Sequence, residues 1–226
     1  MSIATLEQVA SDFLFGFGTL FGIINPYGLA FIFLARTINL SDRERAGVAL
    51  RVALYAFAIL IVSLFAGAAI LGLFGISLPA LRIAGGLVVA ASGWTMLHEP
   101  GEEQSGTRSS LDAAAVSGMA FFPLTVPLTT GPGTIAAAIA LGATGRGSLV
   151  EGIRSSIVSL AIAAAAALVV YHAYSQAAVM ARLLGVEGTR VVTRLSAFLL
   201  LCVGVQIIVT GVTDALQPLG AQVRGP

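Results

Sequence analysis

Two short stretches gather the residue types that could bind a polar solute: Asn25-Pro26-Tyr27-Gly28, and Thr129-Thr130-Gly131-Pro132-Gly133-Thr134. Neither pairs a histidine with an acid or a nucleophile, so catalysis has no visible machinery and the chain reads as a non-enzyme. What both stretches offer is interrupted backbone. A proline removes one amide donor and clashes with the turn before it, so a helix stops and restarts there. At a restart the first amides are unpaired and the dipole end is positive, which suits a small carboxylate. Unwound carbonyls and the end of the preceding half-helix can accept an ammonium group or a cation. Asn25, Tyr27, Thr129, Thr130 and Thr134 add neutral donors and acceptors, while Gly28, Gly131 and Gly133 leave room for close backbone approach. No acidic side chain falls mid-span, so a small zwitterion fits better than a dication or a bulky lipophile.

The elements that must hold these stretches are membrane helices. From Ala113 to Gly145 the chain carries no charged residue, and roughly 20 apolar residues suffice to cross the hydrocarbon layer. A helix break inside lipid survives only where protein or a water-filled cavity surrounds it. The first apolar run, Phe13 to Ala35, is broken in the same way at Asn25-Pro26-Tyr27-Gly28. A shift of 106 positions lays Pro26 on Pro132, Thr19 on Thr125 and Phe15 on Phe121. Two broken helices at matching places in two halves point to a transporter's midplane site. The plainer alternative is two kinked helices that pack tightly.

Composition agrees with a bilayer setting. Residues of the hydrophobic types make up 57% of the chain and charged ones 10%, with a strongly positive mean hydropathy. A net charge of +1 excludes the basic patch that a nucleic-acid partner needs. Cys202 is the single cysteine, so no disulfide framework or cysteine metal cluster is expected, and it reads as a small buried hydrophobe. No cofactor or metal is expected. The acidic group in the 98–112 loop reads as solvated. The N-terminus lacks the positive region of a cleavable signal peptide.

In chain order, the expected fold is all-α, with six transmembrane helices forming two inverted three-helix repeats. Residues 1–97 make the first repeat, 98–112 a polar linker, and 113–226 the second repeat. Gly18 and Gly22 in the first span, and Ser156, Ser159 and Ala163 in the fifth, have the spacing of small-residue packing faces. Ser41 followed by Glu44 predicts a capping box opening the second helix. Arg82, near the start of the third span, either snorkels to the headgroups or faces the bundle to pair with an acid or a substrate carboxylate. His172 reads as interfacial, with a proton relay as the alternative. A turn is expected around 184–188, before the sixth span. With three spans per half the halves run in opposite senses, the topology of an alternating-access carrier. Eight arginines fall on one side and four on the other, which makes the first side cytoplasmic and both termini periplasmic.

The motifs Asn25-Pro26-Tyr27-Gly28 and Pro127-Leu-Thr-Thr-Gly-Pro-Gly-Thr134, with the distance between them and the six spans, resemble the MarC family of bacterial inner-membrane proteins. The resemblance covers nearly the whole chain; Tyr27 stands where many relatives are expected to carry an aliphatic residue. That family is grouped with small neutral amino acid transporters in the wider lysine-exporter superfamily. The resemblance therefore implies a bacterial inner membrane and a glycine- or alanine-like substrate. A coupling ion (proton or sodium) and a homo-oligomer remain open. Competing expectations are a passive channel or exporter for other small metabolites or drugs, and a non-transporting scaffold whose breaks enclose no cavity. Nothing in the sequence points to a drug-sized amphipathic cavity.

Overall fold

The structure is a computed structural model that describes residues 3–98, 118–143 and 149–223. Its regular elements are all helical. Helix α1 (Ile3–Ile24) is followed after one residue by α2 (Pro26–Arg36), then α3 (Asp42–Leu73) and α4 (Leu78–His98). Beyond the linker come a π-helical segment (Ala120–Thr129), α5 (Pro132–Ala143), α6 (Leu149–Ser175) and α7 (Ala177–Val223). Most of the expected linker, and the middle of the loop before α6, lie outside the described residues.

Local chemistry sets the helix ends. Ser41 caps α3: its hydroxyl accepts from the Glu44 amide at 3.4 Å while the Glu44 carboxylate accepts from the Ser41 amide at 2.9 Å, the capping box read from the sequence. Arg45 closes the same corner from the buried side, donating to Asp42 and to the carbonyls of Thr37 and Leu40. At the far end Gly75 adopts φ 65°, which lets the Ile76 amide reach the Leu71 carbonyl. In α7, Gly185 takes φ 66° and kinks the helix, within the turn expected at 184–188.

Among the described residues, five helices are long and apolar enough to cross a membrane: Leu6–Arg36 including its break, Asp42–Leu73, Leu78–His98, Glu151–Ser175 and Glu187–Gln217. The fourth of the expected spans is not of this kind. It is divided between the ten-residue π-segment and the twelve-residue α5. Inside the π-segment, Phe122 (ψ 123°) and Val126 (ψ 124°) are extended. Each precedes a proline, whose Cδ excludes the α-conformation from the residue before it.

The two halves interlock. Broken helix α1–α2 packs on α6 and α7, whereas the π-segment and α5 pack on α3 and α4; α3 meets α6, and α4 meets α7. The α4–α7 seam is the tightest. Gly93 faces the backbone of Leu201, Gly204 faces that of Ala90, and no Cβ would fit at either glycine. Gly18 and Gly22, expected to pack a partner helix, have open space where a Cβ would stand; it is Gly16 that meets Ile162 across the α1–α6 contact. Of the expected α6 packing face, Ala163 is buried and Ser156 exposed. Cys202, expected inside, is exposed. Arg82 faces the bundle and forms an ion pair with Asp214 near the end of α7, the acidic-partner alternative of the sequence reading. Arg194 and His172 are exposed.

Candidate ligand site at the helix breaks

The first break turns on one residue. Asn25 sits in the left-handed region (φ 46°, ψ 57°), the only non-glycine residue with positive φ among those described. Asparagine tolerates that conformation better than most side chains, and Pro26 then supplies a preset first turn for α2. The backbone ladder nearly spans the break, with the Asn25 amide on the Phe21 carbonyl at 2.9 Å and the Leu29 amide on the Asn25 carbonyl at 3.0 Å. Asn25 Nδ2 donates to the Ser196 carbonyl of α7 at 3.2 Å. Pro26 and Gly28 are buried, and a Cβ on Gly28 would overlap the Ser196 side chain. Tyr27 points away from the bundle. It is partly exposed and continues an aromatic row of Phe13, Phe17 and Phe21, its ring 6.3 Å from that of Phe21.

The second break is longer because two prolines precede it. The tandem Phe-Pro-Leu-Thr and Val-Pro-Leu-Thr (122–125 and 126–129) widens the helix to a five-residue hydrogen-bond step. Three threonine hydroxyls then serve the carbonyls five residues back. Thr125 Oγ1 donates to Ala120, Thr129 Oγ1 to Leu124 at 2.7 Å, and Thr130 Oγ1 to Thr125 at 3.2 Å. Threonine thus adds side-chain donors to a ladder that the prolines interrupt, in keeping with the need to satisfy freed backbone in membrane helices. Having spent its proton on Leu124, the Thr129 hydroxyl accepts from Tyr174 Oη at 2.8 Å. Chain geometry recovers at Gly131, and the α5 ladder begins with the Ile135 amide on the Gly131 carbonyl at 3.0 Å. The Gly133 and Thr134 amides precede that first bond. Gly133 is a close-approach residue, because a Cβ there would overlap Val89 of α4.

A cavity of about 480 Å³ opens at this restart. Gly131, Pro132, Gly133 and Thr134 form one wall; Leu124, Leu128 and Leu200 stand beside them. The first broken helix contributes Ile23, Leu29, Ile32 and Arg36, and α4 contributes Val88, Val89, Ala91, Ser92, Thr95 and Met96. Val88, Ala91, Ser92 and Thr95 are exposed, so the cavity opens along α4. A drug-sized, mostly apolar cavity is thus present, contrary to the expectation that none would be found.

Of the expected site residues, Gly131, Pro132, Gly133 and Thr134 are brought to this cavity. Asn25, Pro26 and Gly28 do not line it, although Ile23 and Leu29 on either side of them in the chain do. Thr129 and Thr130 are buried with their hydroxyls committed to the π-segment, and Tyr27 faces outward. Tyr174, Ser196, Arg36 and the α4 wall were missed. The repeated Pro-Leu-Thr was the one signal that could have assigned the threonines to the backbone. No group of histidine, cysteine and carboxylate side chains that could hold a metal occurs among the described residues.

The chain matches the model of the MarC family of integral membrane proteins over residues 10–216. It is similar to an inner membrane protein MarC of Citrobacter koseri, 35% identical over 209 residues, covering 89% of this chain and 94% of the relative. The corresponding Salmonella typhimurium protein is 35% identical over 213 residues and that of Escherichia coli 34% over 214, with the same coverage. No solved structure matches.

Proposed function

We propose that this chain, which belongs to the MarC family of integral membrane proteins, is a carrier for small solutes, with small neutral amino acids such as glycine and alanine as its substrates. The observation that carries this reading is the start of α5, where Gly131 to Thr134 line a cavity that the first broken helix and α4 also line and that opens along α4. A positive helix end facing a cavity inside a membrane protein is a carboxylate site.

Alternating access is supported by the exchange of packing between the halves, since each broken helix rests on the other half's second and third helices. The divided π-segment and α5 act as the fourth of six spans, inverted relative to the first. The same reading keeps both termini periplasmic, by the arginine distribution, in a bacterial inner membrane. A proton or sodium ion is the expected coupling partner. The second reading, an exporter of larger metabolites or drugs, is favoured by the volume and apolar lining of the cavity.

The test is uptake and efflux of labelled glycine and alanine in proteoliposomes, with and without proton and sodium gradients. Saturable flux that a gradient drives uphill is expected. Flux that only follows the concentration gradient and does not saturate would replace the carrier with a channel.

A further inference from the structure

The cavity is larger and more apolar than glycine or alanine requires. Its roughly 480 Å³ is far above the roughly 10–15 Å³ that one water needs, so it holds several. Glycine bound there would leave most of that water against Ile23, Leu29, Val89, Leu124, Leu128 and Leu200, and apolar matter replacing it gains free energy in proportion to the area covered.

The polar groups of the walls are as one-sided as their apolar ones. Thr134, only 3% exposed, lines the deep part of the cavity beside the free amides at the start of α5. Its hydroxyl has no hydrogen-bond partner among the described residues. Arg36, which is exposed, marks the outer part. Among the described residues, no aspartate or glutamate lines the cavity. A carboxylate finds donors at the inner end and a cation on the way in, while an ammonium group finds no counter-charge.

We propose that the cavity selects monocarboxylates with an aliphatic or aromatic body, and that the ammonium group of an amino acid adds little to binding. The carboxylate rests on the α5 amides and Thr134, the body lies along the leucine wall, and Arg36 attracts the anion at the mouth. This rests on the reading of the α5 start as a carboxylate site and names what fills the rest of the cavity. Glycine is then the weak end of a series whose strong end includes leucine and its 2-oxo acid.

The experiment is calorimetric titration of the full chain in phosphatidylcholine nanodiscs with glycine, alanine, leucine, the 2-oxo acid of leucine, and leucinamide. Leucine is expected to bind at least about tenfold more tightly than alanine, given roughly 0.8 kcal/mol per buried methylene. The 2-oxo acid should match leucine, and leucinamide should not bind. Ala91→Phe and, separately, Ser92→Phe should fill the cavity and remove leucine's advantage. Tighter binding of glycine or alanine overturns the proposal and leaves the small amino acid reading standing. Equal binding of leucinamide, or binding by none of the five, overturns the carboxylate site and that reading together. A leucine advantage that survives in both phenylalanine variants places the apolar body elsewhere and overturns the assignment to this cavity.

Discussion

Tyr174 Oη and Thr129 Oγ1 lie 2.8 Å apart with both side chains enclosed, and the Tyr174 ring stacks on Phe33 at a centroid distance of 4.5 Å. One residue of α6 therefore touches the π-segment of the second break and α2 of the first. The hydroxyl holds the polar side of this junction and the ring holds its apolar side. Tyr174 thereby links the two broken helices, which also touch each other directly.

Removing the two halves of that junction should give separable effects. Tyr174→Phe leaves the stack and deletes one hydrogen bond, a loss of about 0.6–1.5 kcal/mol. Tyr174→Ala also empties the space, and substitutions of this size cost about 3–5 kcal/mol. Unfolding of the two variants in detergent measures the difference. Equal losses would mean that the ring contributes nothing and that the stack on Phe33 is incidental.

Gly133 was read from the sequence as a place where ligand approaches backbone, but its Cα faces α4, and a Cβ would overlap Val89. Gly133→Ala should destabilise the α4–α5 contact by about 1–3 kcal/mol through overpacking. Val89→Ala should then relieve a good part of that loss, because it removes the overlapping methyl. If the double variant is no more stable than Gly133→Ala alone, the glycine is needed for something other than this contact. The comparison also guards against reading a folding defect at Gly133 as a binding defect.

The positions of the breaks were legible because proline has no amide and cannot hide that in a helix; Pro26 and Pro132 reported themselves. What repairs each break was less legible. The role of Thr125 and Thr129 depends on a π-helical step that exists only once Phe122 and Val126 are forced extended. Which face of a span looks inward was barely legible. Lipid is as apolar as a protein interior, so Cys202, Gly18 and Gly22 could be placed in a span but not on a side of it. Arg36 joins the cavity lining only through the tertiary placement of α2, which packs on α7 and which no local pattern encodes.

The Arg82–Asp214 pair joins the beginning of α4 to the end of α7, with the two side chains 23% and 27% exposed. Neither residue lines the cavity. Arg82→Ala should therefore lower stability, by about 1–3 kcal/mol for a pair short of full burial, while ligand affinity in the folded fraction stays within about twofold. Exchanging the charges in Arg82→Asp with Asp214→Arg should recover much of the loss. A variant that folds normally but no longer binds carboxylates would place the anion site at Arg82 instead of at the α5 restart.

Asn25 separates two reasons for choosing that residue. It holds a left-handed backbone, which costs an ordinary L-residue roughly 1–2 kcal/mol, and it donates from Nδ2 to the Ser196 carbonyl. Asn25→Gly keeps the backbone accessible and loses only the donor, with some added freedom in the unfolded chain. Asn25→Ala loses the donor and meets the backbone strain as well. Asn25→Asp matches the shape but turns an acceptor toward the Ser196 carbonyl. The expected order of stability is wild type, then Gly, then Ala and Asp. Transport should fall in the same order if the angle between α1 and α2 sets the position of Leu29 and Ile23 in the cavity wall. Thermal unfolding together with flux in proteoliposomes tests both halves of the argument. If alanine proves as good as glycine, the left-handed residue does not hold the break open, and Pro26 alone must account for it.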